Sequence, residues 1–273
     1  MIVQRELTVE QGFENLATRI ANDSRDLEAI RVQPDSPVWD EDAFLAPVYR
    51  PFSLCTKQPL GSALDHLEVV AETFHALGQP HSFAESTLIR TAITASSYAL
   101  WLLSLEPTQR RLRVLQFSFK DYDMWAGFVR TESRNPEAPE DLVNTAPAVL
   151  DELNERRTWI VKQANDILIG DEPRTVREYR KDLPTDTAVV KEAGTRVLGA
   201  WRFLSGYAHG LPWATLANQV QVPGTEPHPE TGAITVHQHG NPEQLLDAAF
   251  YTIEVIEQAT ARYRLLCHGE SGA

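Results

Sequence analysis

Cysteine is almost missing from this sequence. The two that occur, Cys55 and Cys267, lie far apart along the chain, and neither belongs to a C-x-x-C pair. Sparse, unpaired cysteines are typical of proteins in compartments where thiols stay reduced. We therefore predict two free thiols and a cytoplasmic location.

Long apolar runs are missing too. The nearest is residues 98–105, eight residues of which only Ser104 is polar, ending at Glu106 and Pro107, whereas a membrane span needs about 18 residues. The first residues of the chain do not follow the basic-then-apolar order of a signal peptide. No membrane partner is expected.

The motifs of several common enzyme classes are also missing. The sequence contains no G-x-G-x-x-G, no G-x-x-x-x-G-K-S/T, no H-E-x-x-H and no G-x-S-x-G. These absences weigh against nucleotide hydrolysis, zinc proteolysis and α/β-hydrolase chemistry. No cofactor and no resident metal are expected.

Three histidines near the predicted hairpin are possible zinc ligands. His237 and His239 share a face of a predicted strand, and His228 lies across the predicted hairpin. A third ligand at suitable spacing is missing, so a surface hairpin with exposed histidines is the favoured interpretation.

Positive charge is in deficit, with 25 Lys and Arg against 38 Asp and Glu, a net charge of −13. Such a chain is on average repelled by nucleic acids and anionic membranes. The segment from Arg90 to Arg134 departs from this balance, with seven basic residues against four acidic ones. It contains Arg110 and Arg113, which are candidates for binding a substrate anion. The alternative is the solvated polar side of a helix.

Most of the sequence has the apolar periodicity of α-helices. Apolar residues between Ser62 and Leu77 recur at helical spacing, and Ser82 and Glu85 have the spacing of a capping box. The predicted helices cover residues 9–30, 62–77, 82–105, 107 to just before Asn135, 141–168, 186–209 and 242–266. Residues 34–54 contain four prolines and are predicted to form an extended arm.

The pattern changes near residues 214–240. Segments 216–222 and 233–239 alternate like strands, and the residues between them are rich in turn formers. We therefore predict a mainly α fold, a helical bundle with one inserted β-hairpin near residues 214–240. Residues 1–55 are predicted to form an N-terminal helix and arm, and residues 56–273 the bundle domain.

The segment from Trp201 to Gly210 is the strongest candidate for a functional site. If it is helical, Arg202 and His209 lie on one face, about 10.5 Å apart along the axis. Ser205 and Gly206 lie between them. Gly199, Gly206 and Gly210 fall near the same stripe. Glycine in a helix costs about 1 kcal/mol relative to alanine, which suggests that a helix or a ligand approaches the backbone here.

An arginine and a histidine on one face suit phosphodiester chemistry. Histidine can transfer a proton near neutral pH, and arginine grips a phosphate with two hydrogen bonds. RNA carries its own nucleophile, the 2′-hydroxyl group, so this chemistry needs no metal ion.

The spacing Arg202-x6-His209 near a helix end resembles the R-x(4–6)-H signature of HEPN-domain proteins. The longer W-R-x-x-S-G-x-A-H-G wording also resembles a motif of uncharacterised actinobacterial proteins, which pair it with an upstream helix similar to residues 88–103. The resemblance covers about residues 60–268.

The resemblance implies a bundle that forms a homodimer in which the arginines and histidines of two subunits meet. Many HEPN proteins are metal-independent ribonucleases of toxin–antitoxin, CRISPR-associated or phage-defence systems. By position, Arg202 would hold the scissile phosphate and His209 would act as acid or base. Ser205 and Gly206, which helical spacing places between them, are the candidates for contacting the substrate. Inactive HEPN domains serve as dimerisation modules or bind protein partners, such as an antitoxin.

Two other interpretations of this segment remain open. In the first, the roles are structural: His209 caps its own helix, where a cation is favoured, and Arg202 pairs with a buried carboxylate. In the second, the same face binds a ligand or a protein partner without catalysis. The enzyme hypothesis predicts that both side chains face an open groove or a two-fold interface, rather than being buried and paired with carboxylates inside one subunit.

Overall fold

The computed structural model describes residues 8–81, 83–168, 172–238 and 240–269, except for the side chains of Ala217 and Gln238. These residues form eleven α-helices, two short 3-10 helices and one two-stranded antiparallel hairpin. The predicted class, a mainly α helical bundle with one inserted hairpin, is confirmed.

The elements follow one another in this order: α1 Val9–Ala29, α2 Pro37–Phe44, a 3-10 turn Ala46–Val48, α3 Phe52–Leu77, α4 Ala84–Leu102, α5 Pro107–Glu132, α6 Glu140–Ile167, α7 Val176–Lys181, α8 Asp186–Ala193, α9 Thr195–Ala208, α10 Pro212–Thr215, a 3-10 turn Leu216–Asn218, β1 Gln219–Gln221, β2 Val236–Gln238 and α11 Pro242–His268. No helix among the described residues combines the length and hydropathy that a membrane span requires.

The prediction of an extended arm over residues 34–54 was wrong. Ser36 caps α2 by accepting a hydrogen bond from the Trp39 N–H group at 3.3 Å, and Pro37 occupies the first helical turn, where proline needs no donor. The next helix, α3, starts at Phe52. The predicted domain boundary at residue 55 therefore falls inside a helix.

Two further predictions need correction. The helix predicted over residues 186–209 is two helices, because Gly194 adopts a positive φ of 133° between α8 and α9. The hairpin is shorter than predicted, with three residues in each strand and Val220 opposite His237. The predicted capping box lies outside the described residues, since Ser82 is not among them.

The chain divides into two compact units, each made of separate segments. Unit 1 comprises the described parts of residues 1–30, 58–100 and 186–262. Its core includes Leu16 of α1, Ile93 of α4 and Ile253 of α11, all fully buried.

Unit 2 comprises the described parts of residues 31–57, 101–185 and 263–273. In it α5 packs along α6, and Phe119, Tyr122 and Ile160 are fully buried.

Both cysteines are free thiols and lie in unit 2, with Cys55 4% exposed and Cys267 fully buried. Burial raises the pKa of the Cys55 thiol to about 12 and that of the Cys267 thiol to about 11. The thiolate is the reactive form, so the folded protein holds its thiols in the unreactive state.

We expect both thiols of the folded chain to react with Ellman's reagent at pH 8 about a hundredfold more slowly than free cysteine, or slower still. In 6 M guanidinium chloride, both should react at the rate of free cysteine, with two thiols released per chain. Rapid reaction of either thiol under native conditions would contradict the buried positions.

Candidate functional site

The predicted motif forms α9 and the turn that ends it. His209 is the C-terminal cap of the helix. The Gly210 N–H group donates to the Tyr207 carbonyl at 2.9 Å, and the Leu211 N–H group donates to the Gly206 carbonyl at 2.8 Å. These two bonds make a Schellman motif, whose first residue beyond the cap is left-handed, and Gly210 has a φ of 63°. The chain therefore reverses direction immediately after His209.

Replacing Gly210 by alanine tests this turn. A side chain at left-handed φ costs roughly 1–2 kcal/mol, so Gly210→Ala should lower the free energy of unfolding by about that amount in urea denaturation. The matched control is Gly61→Ala in α3, where an added Cβ has nothing within 4 Å. There alanine should stabilise the helix by up to about 1 kcal/mol. Equal effects at both positions would contradict the assigned turn.

The side chains of Arg202 and His209 are both exposed. Neither side chain makes a hydrogen bond or ion pair with any residue that the structure describes. The alternative in which Arg202 pairs with a buried carboxylate was therefore wrong. His209 does occupy the helix C-terminus, where the helix dipole favours a cation, and its ring remains accessible.

A third basic side chain reaches this face from another helix. Arg90 of α4 donates from Nε to the Ser205 hydroxyl at 2.8 Å, and Ser205 donates to the Trp201 carbonyl at 2.7 Å. Ser205 is one helical turn from both Arg202 and His209. We call Arg90, Arg202 and His209 the basic face.

Arg90 is held in place by its neighbours. Its guanidinium lies 5.1 Å from the centre of the Trp201 ring, close enough for a cation–π interaction. The Trp201 Nε1–H group donates to the Thr94 hydroxyl at 2.9 Å, and that hydroxyl donates to the Arg90 carbonyl at 3.0 Å. The Nη groups of Arg90 donate to no described residue, so they can bind a ligand oxygen.

Gly206 does not leave an open notch beside Ser205. A Cβ at this position would lie 2.6 Å from the Ala214 Cβ and 2.6 Å from Trp213 Cζ2. The group that approaches the α9 backbone is therefore α10 of the same chain. The expectation that Gly206 contacts the substrate was wrong, because the side chain of Trp213 fills the space.

Four aromatic side chains cluster beside the basic face. Ring centres are 5.2 Å apart for Phe203 and Tyr207, 6.5 Å for Phe203 and Trp213, and 6.1 Å for Phe83 and Tyr207. Phe83 is 41% exposed and Trp213 is 53% exposed. We call these four residues the aromatic cluster. Its two exposed rings offer flat apolar surfaces that pack against Phe203 and Tyr207 of α9.

Arg110 does not have the role expected for it. Its side chain is only 4% exposed, and it donates to Glu41 at 3.2 Å and to the Ser104 carbonyl at 2.9 Å. Arg111 binds the other oxygen of Glu41 at 3.0 Å. The prediction that Arg110 binds a substrate was wrong, because its guanidinium is buried within unit 2 and held there by protein acceptors.

Arg113 is half-buried. It donates to the Trp101 carbonyl at 2.7 Å, and its guanidinium lies 5.1 Å from the centre of the Trp101 ring. Both features tie it to the last turn of α4. Arg110 and Arg113 belong to unit 2, and the basic face belongs to unit 1.

His228 and His237 of the hairpin region are exposed, and His239 lies outside the described residues. Over the described parts of the chain, no three His, Cys, Asp or Glu side chains lie close enough together to hold a metal ion.

Two members of the site were not among the predicted site residues. Arg90 lies in the helix that resembles the upstream partner of the motif, where it is the one charged residue of an otherwise uncharged stretch over 86–105. Trp213 follows the motif closely, and it reaches the site because the chain reverses direction at Gly210.

No protein-family model, no curated protein and no solved structure matches the chain.

Proposed function

We propose that this protein is a HEPN-like, metal-independent endoribonuclease that works with the basic face of α9. The observation that supports this most is the accessibility of Arg202 and His209. Both side chains are exposed without partners among the described residues, and Arg90 reaches Ser205 between them. Basic side chains that lie together on a strongly acidic chain, without protein acceptors, favour an anionic ligand.

The proposed reaction uses the nucleophile that RNA supplies. The 2′-oxygen attacks the neighbouring phosphorus, the bond from phosphorus to the 5′-oxygen breaks, and one proton passes from the 2′-oxygen to the 5′-oxygen. His209 takes or gives that proton. Arg202 and Arg90 hold the phosphate oxygens as negative charge builds up on them. The products are a 2′,3′-cyclic phosphate and a free 5′-hydroxyl group.

Full acid and base catalysis needs two proton-transfer groups. A single chain supplies one histidine to this face. A homodimer in which two α9 helices meet would bring a second His209, so that one ring acts as base and the other as acid. The proposal therefore includes a homodimer, in line with the HEPN resemblance.

The aromatic cluster suits the bases of single-stranded RNA. An exposed ring that stacks on a base contributes about 1–3 kcal/mol to binding. Phe83 and Trp213 present such rings beside the groups assigned to the phosphate. The site would therefore recognise unpaired RNA through one phosphate and its neighbouring bases.

We expect Trp213→Ala to weaken the binding of a single-stranded RNA hexamer about fivefold to a hundredfold, because a stacking surface is lost. Fluorescence anisotropy of a labelled hexamer would measure the change. The control is Trp39→Ala, which removes an equally exposed tryptophan (50%) from unit 2 and should leave binding unchanged. An unaltered Kd for Trp213→Ala would remove the aromatic cluster from the binding site.

A second function is favoured by a separate observation. Leu211 and Leu216 flank α10 and are 41% and 66% exposed, next to the exposed Trp213. Such apolar exposure is typical of protein contact surfaces. In this proposal the domain is catalytically inactive and binds a second copy or a protein partner, such as an antitoxin.

One set of measurements separates the two proposals. Purified wild type is incubated with single-stranded RNA in EDTA, alongside Arg202→Ala and His209→Ala, and its mass in solution is measured in parallel. Cleavage that both variants lose supports the ribonuclease. A dimer without cleavage supports the contact module. A role in toxin or phage defence would follow if expression of the wild type, but not of His209→Ala, arrests growth.

A further inference from the structure

Unit 1 contains a cavity that takes no part in the proposed reaction. It lies between α1 and α3 and has a volume of about 630 Å³, within the usual range for sites that bind small molecules. Its floor is apolar. Phe13 and Phe74 stack there with ring centres 3.9 Å apart, and both are nearly buried, as is Ile20.

The rim of this cavity is rich in carboxylates and includes one histidine, His75. Glu10 and Glu14 of α1 and Glu68 and Glu72 of α3 all line it, and all four are exposed. No lysine or arginine lines the cavity. Each helix thus places two carboxylates one turn apart, an arrangement that weakens a helix through repulsion. The first-turn position of Glu10 is favoured by the helix dipole, but helix stability does not account for Glu14, Glu68 and Glu72.

We infer that this cavity binds an organic cation with an apolar body, such as an aromatic or aliphatic amine. The apolar body would cover the phenylalanine floor and displace water from it. The ammonium group would lie at the rim among the carboxylates, where opposite charge favours it. A metal ion does not fit this arrangement, because the described residues offer no cluster of three metal-ligating side chains.

The test uses two probes that share a ring system and differ in charge. 2-(1-Naphthyl)ethylammonium is the cation, and 1-naphthylacetate is the anion. Isothermal titration calorimetry on the full chain at low ionic strength should show binding of the cation. The anion should bind at least about tenfold more weakly. Raising the salt concentration should weaken binding of the cation, because salt screens exposed charges.

Two variants locate the binding site. The double variant Glu14→Gln with Glu72→Gln removes one carboxylate from each wall and should weaken binding of the cation at least about tenfold. Ala17 lines the cavity and is exposed, so Ala17→Phe should fill the space and abolish binding. Circular dichroism confirms that each variant is folded.

The matched control is the double variant Asp151→Asn with Glu155→Gln on α6. These two carboxylates are also exposed and one turn apart, and they lie outside the cavity. Removing them changes the net charge equally and should leave the affinity for the cation unaltered. A loss as large as that of the cavity variant would mean that net charge alone attracts the probe.

Four other results would overturn the inference. They are no binding of the cation at millimolar concentration, equal affinity for the anion, unchanged affinity in the Glu14 and Glu72 double variant, and a dimer in sedimentation that Ala17→Phe abolishes. The last result would show that a second copy of the chain covers the cavity. None of these outcomes depends on RNA cleavage, so failure of the cation site and failure of the proposed ribonuclease function can be distinguished.

Discussion

His209→Ala is expected to lower the rate of RNA cleavage in EDTA about a hundredfold to ten-thousandfold. General acid–base catalysis contributes this much to proton-transfer reactions, and His209 is the histidine among the three residues that define the basic face. The exposed position of the ring means that its removal takes away no buried contact. The variant should therefore fold normally and bind RNA with nearly unchanged affinity. Rates are measured by gel analysis of a labelled RNA, and the product end should be a 2′,3′-cyclic phosphate.

His268→Ala is the matched control, since His268 is also an exposed histidine at the C-terminal end of a helix. It should cleave at the rate of the wild type. Arg202→Lys helps to separate charge from geometry, because lysine keeps the charge but loses the two-pronged grip on phosphate. Equal cleavage by wild type and His209→Ala, or none by the wild type, would end the ribonuclease proposal and leave the contact module.

Glu41→Ala is expected to cause the largest loss of stability, about 3–5 kcal/mol in the free energy of unfolding. Glu41 is 1% exposed and binds Arg110 at 3.2 Å and Arg111 at 3.0 Å. Burial raises the pKa of the Glu41 carboxyl above its ordinary value, although Arg111 and Arg110 oppose this shift. The ion pair thus gains little net stability over apolar groups of the same shape. Its removal, however, leaves the Arg110 charge buried without a counter-charge.

Urea denaturation followed by circular dichroism measures this loss. The control is Glu152→Ala, which removes the partner of Arg156 on α6, where Glu152 is 56% exposed. Arg156 is 16% exposed, but the Glu152 carboxylate itself is solvated, and pairs at the surface contribute about 0–1 kcal/mol, so this variant should remain much closer to the wild type than Glu41→Ala. Glu41→Gln should fall between the two, because the amide keeps a hydrogen bond to one arginine but carries no charge. A change of less than about 1 kcal/mol for Glu41→Ala would show that Arg110 finds another partner.

The long helices could be predicted from the sequence because their signals are local. Pro107 and the apolar stripe after it define the start and course of α5, and Pro242 defines the start of α11. The short helix α2 was missed because four prolines in one segment suggested extended chain. The hydroxyl of Ser36 and the first-turn position of Pro37 reverse that expectation.

The candidate site was only partly predictable for a different reason. Helical spacing places Arg202 and His209 on one face without any knowledge of other helices. Which groups meet that face depends on contacts between distant parts of the chain. Spacing alone does not show that Trp213 fills the position beside Gly206, or that Glu41 captures Arg110. Both outcomes depend on packing, which no periodicity encodes.

The turn after His209 has a consequence for the order of folding. The hydrogen bonds that orient this residue connect positions at most five apart, from Gly206 to Leu211. Contacts this local require almost no loop closure, and they form quickly. The bond between Arg90 and Ser205 spans 115 positions, so it must wait for α4 and α9 to dock. The histidine end of the basic face would therefore take shape early, and the arrival of Arg90 would be the late step that completes it.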